Sequence, residues 1–214
     1  MTPILDPLAA LHILLLGLAL GLTLLVAIAY LRLGPAWLRW LLLLSAGWLA
    51  GRYLAMFLFA VSPNPQDVWA WRYAWFGSAV GLTLPAAVAV DQLVRHPAMT
   101  PKKLLQWYAP FFLGYVAVIA LGRFALMPDP VVGAAPRLIG WARWVIGAVQ
   151  SAYVLGLSFI CLQLMRKLPS KPIRLALAGL LLAFAYLAID GRIGSELLAL
   201  LAIWFALETA RVCP

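Results

Sequence analysis

The sequence predicts an all-α integral membrane protein, a bundle of seven transmembrane helices with its N-terminus outside and its C-terminus in the cytoplasm. Of its 214 residues, 65% are hydrophobic and 11% are charged, which is more apolar surface than a water-soluble domain of this length can bury. At about 20 apolar residues per spanning helix, the chain holds about seven spans joined by short loops. A separate soluble catalytic or DNA-binding domain is therefore not expected.

Long apolar runs separated by turn residues define the predicted helices. The breaks contain proline, glycine or aspartate, as in Gly34-Pro35 after the first run and Asp190-Gly191 after the sixth. Because every connection is short, consecutive helices should pack as antiparallel neighbours in one domain covering residues 1–214. The predicted spans lie near residues 8–31, 38–61, 70–93, 104–126, 138–165, 174–189 and 196–211.

The distribution of basic residues predicts the orientation. Ten of the 16 lysines and arginines fall on one side of these spans with two acids, whereas six fall on the other side with five acids. The two sides therefore carry net charges of +8 and +1, which account for the +9 of the chain. Basic residues that flank spans are retained in the cytoplasm, so the first side is predicted to be cytoplasmic. The positive charge then has a source in topology, and no nucleic-acid partner is expected.

Several chemistries lack the residues that they need. A retinal Schiff base requires a lysine inside the bundle, but all four lysines fall in predicted cytoplasmic loops (Lys102, Lys103, Lys167 and Lys171). A bis-histidine haem requires two histidines in spans, but His12 is in a span and His96 in a loop. The sequence contains no HExxH, CxxC, Walker-type or GxSxG motif, so neither a metal site nor an enzyme activity is expected.

Arg52 is the strongest candidate for a functional side chain. It lies well inside the second span, where a charge is costly unless it faces the bundle interior or a wet cavity and finds a partner. Other arginines lie near the outer ends of spans, where aromatic residues surround them. Arginines there could capture an anionic group while aromatic rings hold an apolar body. The predicted ligand site contains Arg52, Trp48, Arg72, Arg143, Trp141 and Trp144.

The same residues also fit an interfacial aromatic belt, which is an alternative without a ligand. In that interpretation the arginines bond to lipid phosphates or to outer acids, namely Asp67, Asp129, Asp190 and Glu196. The sequence leaves both interpretations open.

Two further acids lie about one turn from the predicted cytoplasmic ends of their helices. Asp91 precedes Arg95 by four residues, and Glu208 precedes Arg211 by three. Each spacing places an acid and a base on one helix face, which predicts two interfacial ion pairs. In a receptor these four residues would form the output side, and a proton relay through the two acids is the alternative.

The stretch from Leu31 to Phe124 resembles the seven-helix membrane sensor region at the N-terminus of many bacterial histidine kinases. The resemblance rests on the Gly34-Pro35 loop, a second span reading SAGWLAGRYLAMFLF, a third reading WRYAWFGSAVGLTLPAAVAV and a fourth opening LLQWYAPFF. It implies a receptor of the bacterial inner membrane whose cytoplasmic end drives an output domain. Six residues follow Glu208 in this sequence, so signalling through a separate protein partner is expected.

Three functions are compatible with these observations. The first is a stand-alone receptor-like module that binds a small amphipathic or anionic ligand in its outer half. The second is a non-catalytic accessory subunit of a larger membrane complex, and the third is a small transporter or lipid-handling protein. Membrane lipids are expected neighbours in all three, and the sequence does not indicate whether pigment, quinone or lipid fills the bundle.

Overall fold

The computed structural model describes residues 7–33, 36–61, 71–95, 100–129 and 133–213. These residues form a bundle of helices with one β-hairpin. In chain order the elements are α1 (Pro7–Tyr30), α2 (Ala36–Val61), α3 (Ser78–Val94), α4 (Pro101–Leu121), β1 (Arg123–Asp129), β2 (Gly133–Ile139), α5 (Trp141–Lys167), α6 (Lys171–Asp190) and α7 (Ile193–Val212).

Across the described ranges, six helices are long and apolar enough to cross a membrane, and the chain is therefore a helical multi-pass membrane protein. The shorter apolar helix is α3, whose 17 residues span about 25 Å, against a hydrocarbon core of about 30 Å. Residues 71–75 are also helical, but a turn at residues 76–77 separates them from α3. The predicted span 70–93 is thus not one continuous helix, and its first residue lies outside the described residues.

The structure is the predicted helical bundle with one addition, a short β-hairpin between α4 and α5. The predicted spans 104–126 and 138–165 extend into this hairpin, whose antiparallel strands pair Arg123 with Ile139 and Asp129 with Gly133. Helix α4 ends at Leu121 and is followed by Gly122, where a side chain would place its Cβ 2.8 Å from the Cβ of Ala142. The apolar residues of β1 continue the composition of α4, so hydrophobicity alone does not mark the helix end.

The lysines predicted in loops lie instead at helix ends. Lys102 and Lys103 belong to the first turn of α4, Lys167 is the last residue of α5, and Lys171 is the first residue of α6. Each of these helices extends two or three residues beyond the predicted span, so the connections are shorter than predicted.

Helix α7 occupies the centre of the bundle, where it packs against α1, α3 and α6. Its Ala199, Leu200, Ile203 and Ala206 are fully buried or nearly so. The outer helices instead expose large apolar side chains, such as Leu121 of α4 at 75% and Leu155 of α5 at 70%. Helices that are apolar on all sides suit a lipid surround, so this exposed surface fits a membrane location.

Hydrogen bonds from neighbouring helices stabilise α3 around its internal proline. Pro85 has no backbone N–H, and therefore leaves the carbonyl of Gly81 without its helical donor. The hydroxyl of Ser45 on α2 lies 3.3 Å from that carbonyl oxygen and can donate to it. On the other side, the Tyr153 hydroxyl of α5 donates to the carbonyl of Thr83 at 2.6 Å. These contacts fix α3 against α2 and α5.

Candidate functional site

A buried ion pair links the middle of α2 to the start of α7. The Arg52 guanidinium donates through Nη2 to Oε1 of Glu196 at 2.7 Å and through Nε to Oε2 at 3.2 Å. Arg52 is 8% exposed and Glu196 is 1% exposed. The two-point geometry neutralises the guanidinium inside the bundle. For Arg52, the structure therefore agrees with the interpretation in which an acid near the outer end of a span is its partner.

Glu196 is a site residue that the sequence analysis placed only among the outer acids. It lies in the first turn of α7, where the partial positive charge of the helix N-terminus favours a carboxylate. Arg52 is separated from it by 144 residues, so helical spacing could not reveal the pair. The sequence does show two separate features, an acid at the start of one predicted span and an arginine in the middle of another, but it does not connect them.

A cavity of about 510 Å³ lies beside this ion pair, and we call it the hairpin pocket. Its volume falls within the range of small-molecule sites, which is roughly 300–1,000 Å³. Its walls come from α2, residues 75–76, α3, α4, the hairpin and α5. The lining residues used below are Arg52, Trp75, Tyr115, Arg137, Arg143, Trp144 and Gln150.

Two exposed arginines, Arg137 and Arg143, line the hairpin pocket, and the net positive charge comes mainly from Arg143. Arg52 also lines the pocket, but Glu196 neutralises it. Arg137 on β2 is exposed and lies 3.6 Å from the carboxylate of Asp129 across the hairpin. Arg143, on the first turn of α5, is exposed and forms no ion pair with any residue in the described part of the chain. A ligand with an anionic group could therefore bind Arg143 without displacing an internal partner.

Aromatic side chains supply the apolar wall of the pocket. Trp75 is buried and contacts Phe59 edge to face, with ring centroids 5.4 Å apart. Tyr115 is also buried, whereas Trp144 is 78% exposed at the rim. Two of these rings are thus fixed by packing and one is accessible. An arginine beside fixed and accessible rings suits an amphipathic ligand, whose head and body need different surroundings.

Three of the six predicted ligand residues line this pocket, namely Arg52, Arg143 and Trp144, and three lie outside it. The Trp48 indole donates to the carbonyl of Tyr73 at 2.9 Å and fills the space over Gly77, where no Cβ would fit. The Arg72 guanidinium lies 4.8 Å from the centre of the Tyr73 ring. Trp141 is half exposed at the start of α5. The position of Arg52 within its span predicted that it faces the bundle interior, but it did not show which neighbours close the pocket.

Arg137, Tyr115 and Gln150 are lining residues that the sequence analysis did not assign to the site. Arg137 belongs to a strand that the predicted topology placed at the edge of a helix. Tyr115 and Gln150 sit within apolar helical runs, where nothing in the spacing distinguishes a lining residue from a packing residue.

At the opposite end of the bundle, Glu208 and Arg211 of α7 lie 3.0 Å apart, as their spacing predicts. Arg32, just beyond the end of α1, also approaches Glu208 at 3.4 Å. These contacts join the ends of α1 and α7.

The predicted ion pair between Asp91 and Arg95 is wrong. Helix α3 ends at Val94, and Arg95 adopts a left-handed backbone conformation with φ 47° and ψ 45°. Residues four apart face each other only while the helix continues, so the Arg95 side chain leaves the face of Asp91. Its guanidinium donates instead to the carbonyl of Ala210 on α7 at 2.9 Å.

Comparisons of this chain with protein-family models, with curated proteins and with solved structures gave no match.

Proposed function

We propose that this chain is a seven-helix membrane receptor. It binds a small amphipathic molecule with an anionic group in the hairpin pocket and passes the signal to a protein partner. The observation that carries this proposal is the pocket itself, a cavity of about 510 Å³ in which Arg143, which forms no ion pair among the described residues, lies beside an aromatic wall. The anionic group would bond to Arg143 and Arg137, and the apolar body would lie against Trp75 and Trp144.

The proposal includes a topology. Residues 71–75 and α3 together make the third crossing, which brings the number of spans to seven. The charge bias puts the N-terminus outside and the C-terminus in the cytoplasm. The hairpin pocket then opens outward, where a molecule outside the cell could reach it. The resemblance to kinase sensor regions favours the bacterial inner membrane as the location.

Helix α7 offers a route from the pocket to the opposite end of the bundle. Glu196 binds Arg52 at the pocket, and Glu208 lies 12 residues later, about 18 Å along the same helix. At that end Glu208 contacts Arg32 and Arg211, and Arg95 holds the carbonyl of Ala210. A ligand in the hairpin pocket would lie beside the Arg52–Glu196 pair, and so beside the start of a central helix whose far end is bonded to α1 and to the end of α3.

The test uses 11-bromoundecanoate, an anionic amphiphile whose bromine quenches nearby tryptophan, with the protein in bilayer discs of neutral lipid. We expect saturable quenching that unlabelled undecanoate reverses. In Arg143→Gln the affinity should fall about tenfold, because a charged hydrogen bond is lost. Arg192→Gln is the matched control, since this arginine is at the same end, has an 81% exposed side chain and does not line the pocket.

Equal affinity in the wild type and Arg143→Gln would contradict the proposal. Movement of the probe across sealed vesicles that contain the protein would favour a transporter instead. A stoichiometric protein partner without ligand binding would favour an accessory subunit.

A further inference from the structure

A second cavity, of about 590 Å³, lies between α3, α4 and α5 near the end of α3. We call it the Asp91 cavity, and the residues used here are Val90, Asp91, Leu104, Tyr153, Gly156 and Leu157. It shares no lining residue with the hairpin pocket, so the two sites can be altered separately. We propose that the Asp91 cavity binds a lipophilic cation, an alkyl chain with an ammonium group, whose ammonium lies against the Asp91 carboxylate.

The wall of the cavity selects an apolar body. Every lining residue except Asp91 and Tyr153 is apolar. The Tyr153 hydroxyl already donates to the carbonyl of Thr83 at 2.6 Å, so it is occupied within the protein. A ligand that fills this volume therefore meets hydrocarbon on most of its surface and has one polar contact, which is Asp91.

The charge of the cavity selects a cation. Asp91 is half-buried, and the ion pairs formed among the described residues do not include it. The basic residue four positions later, Arg95, donates to the carbonyl of Ala210 instead. Asp91 accepts a long hydrogen bond, of 3.5 Å, from the amide of Gln92, which does not balance its charge.

The end of α3 adds to this negative potential. Asp91 lies in the last turn of the helix, where the terminal carbonyl groups carry a partial negative charge. An ammonium group at this position interacts favourably with both the carboxylate and the carbonyl oxygens. Basic side chains also occur at this end of the bundle, among them Lys103, Arg166 and Lys167. An anionic probe is therefore a necessary comparison in the test.

Photolabelling in bilayer discs of phosphatidylcholine tests the proposal directly. Three probes carry the same dodecyl chain with a diazirine and differ only in the head group, which is ammonium, alcohol or sulfate. We expect the ammonium probe to label peptides of α3 and α5 around the cavity, and dodecylammonium to compete for that labelling. In Asp91→Asn the affinity of the ammonium probe should fall about tenfold, whereas the alcohol probe should be unaffected.

A second variant tests the cavity without changing its charge. Gly156 lines the cavity and a Cβ at this position meets no heavy atom within 4 Å, so Gly156→Leu places an apolar side chain in the cavity. We expect it to abolish labelling by the ammonium probe. The control for bulk is Gly17→Leu on α1, where the space around the Cβ is equally open. The control for charge is Asp190→Asn, at the hairpin end of the bundle.

Equal labelling by all three probes, unchanged in Asp91→Asn, would overturn the proposal and identify the cavity as a groove for lipid acyl chains. Preferential labelling by the sulfate probe would also overturn it, because the basic residues would then control selectivity. Neither result depends on the hairpin pocket, so both leave the receptor proposal untouched.

Discussion

Two side chains, Arg52 and Glu196, form a buried ion pair that the stability of the bundle depends on. Replacing one partner leaves the other charge buried without compensation, which costs about 3–5 kcal/mol. We therefore expect Arg52→Ala and Glu196→Ala to lower the free energy of unfolding by about that amount. Denaturant titration of the purified protein in detergent measures the change.

Two controls separate the loss of this pair from a general effect of mutation. Glu208→Gln removes a carboxylate at an exposed ion-pair cluster and should cost at most about 1 kcal/mol. The double variant Arg52→Leu with Glu196→Leu removes both buried charges and should recover most of the lost stability. If the single variants lose no more stability than Glu208→Gln, the buried Arg52–Glu196 pair does not stabilise the bundle as proposed.

The sequence indicates which charged side chains lie inside the spans, but not which distant residues they bind. An arginine in the middle of an apolar span must face a partner, so the buried position of Arg52 was predictable. Its partner was not, because four outer acids were available and the true one is 144 residues away. The local pair Glu208 and Arg211 followed from spacing, whereas Asp91 and Arg95 did not pair because α3 ends between them.

At the scale of an element, α3 depends on α2 because of Pro85. Ser45→Ala removes the hydroxyl that reaches the Gly81 carbonyl, leaving a buried acceptor without a donor at a cost of about 1–3 kcal/mol. Pro85→Ala restores the N–H that normally bonds to that carbonyl. We expect Ser45→Ala to destabilise the wild type clearly and the Pro85→Ala variant much less. Thermal melting of the four proteins in this double-mutant cycle measures the coupling.

An additive result in that cycle would show that Ser45 does not compensate for the proline. The Ser45 hydroxyl also lies 3.2 Å from the carbonyl oxygen of Val80, so it can donate to either carbonyl. Ser45→Thr keeps a hydroxyl at this position and is the control for the loss of the hydrogen bond. Stability close to that of the wild type in Ser45→Thr would assign the effect to the hydrogen bond.

The hairpin is the element that the sequence did not reveal. Long apolar runs were sufficient to predict helices close to α1, α2, α6 and α7, because length and hydrophobicity decide whether a segment can span a membrane. The strands carry apolar residues such as Phe124 and Leu138 directly beside helical runs, so the composition does not change at the boundary. The strands pair locally, from Asp129 with Gly133 to Arg123 with Ile139, and it is this pairing that places Arg137 in the hairpin pocket.

At the scale of the whole molecule, the proposed topology places the hairpin outside the membrane and Cys213 in the cytoplasm. We expect a membrane-impermeant maleimide to label Met127→Cys in intact cells when Cys161 and Cys213 are replaced by serine. Native Cys213, in a Cys161→Ser protein, should react only after the membrane is permeabilised. Labelling is read as a mass shift of the purified protein.

Labelling of Cys213 in intact cells would show that the C-terminus lies outside and would reverse the orientation. Labelling of both positions from the same side would require an even number of crossings between them. Either result would contradict the proposed topology, in which the hairpin pocket opens to the outside of the cell.

The most direct measurement for the receptor account is gentle extraction from the native membrane, followed by native mass spectrometry of the wild type and Arg143→Gln. We expect the wild-type protein to retain a small amphipathic anion and the variant, equally folded, to have lost it. A wild-type protein that carries no such molecule, and instead co-purifies with a stoichiometric membrane subunit, would contradict the receptor proposal.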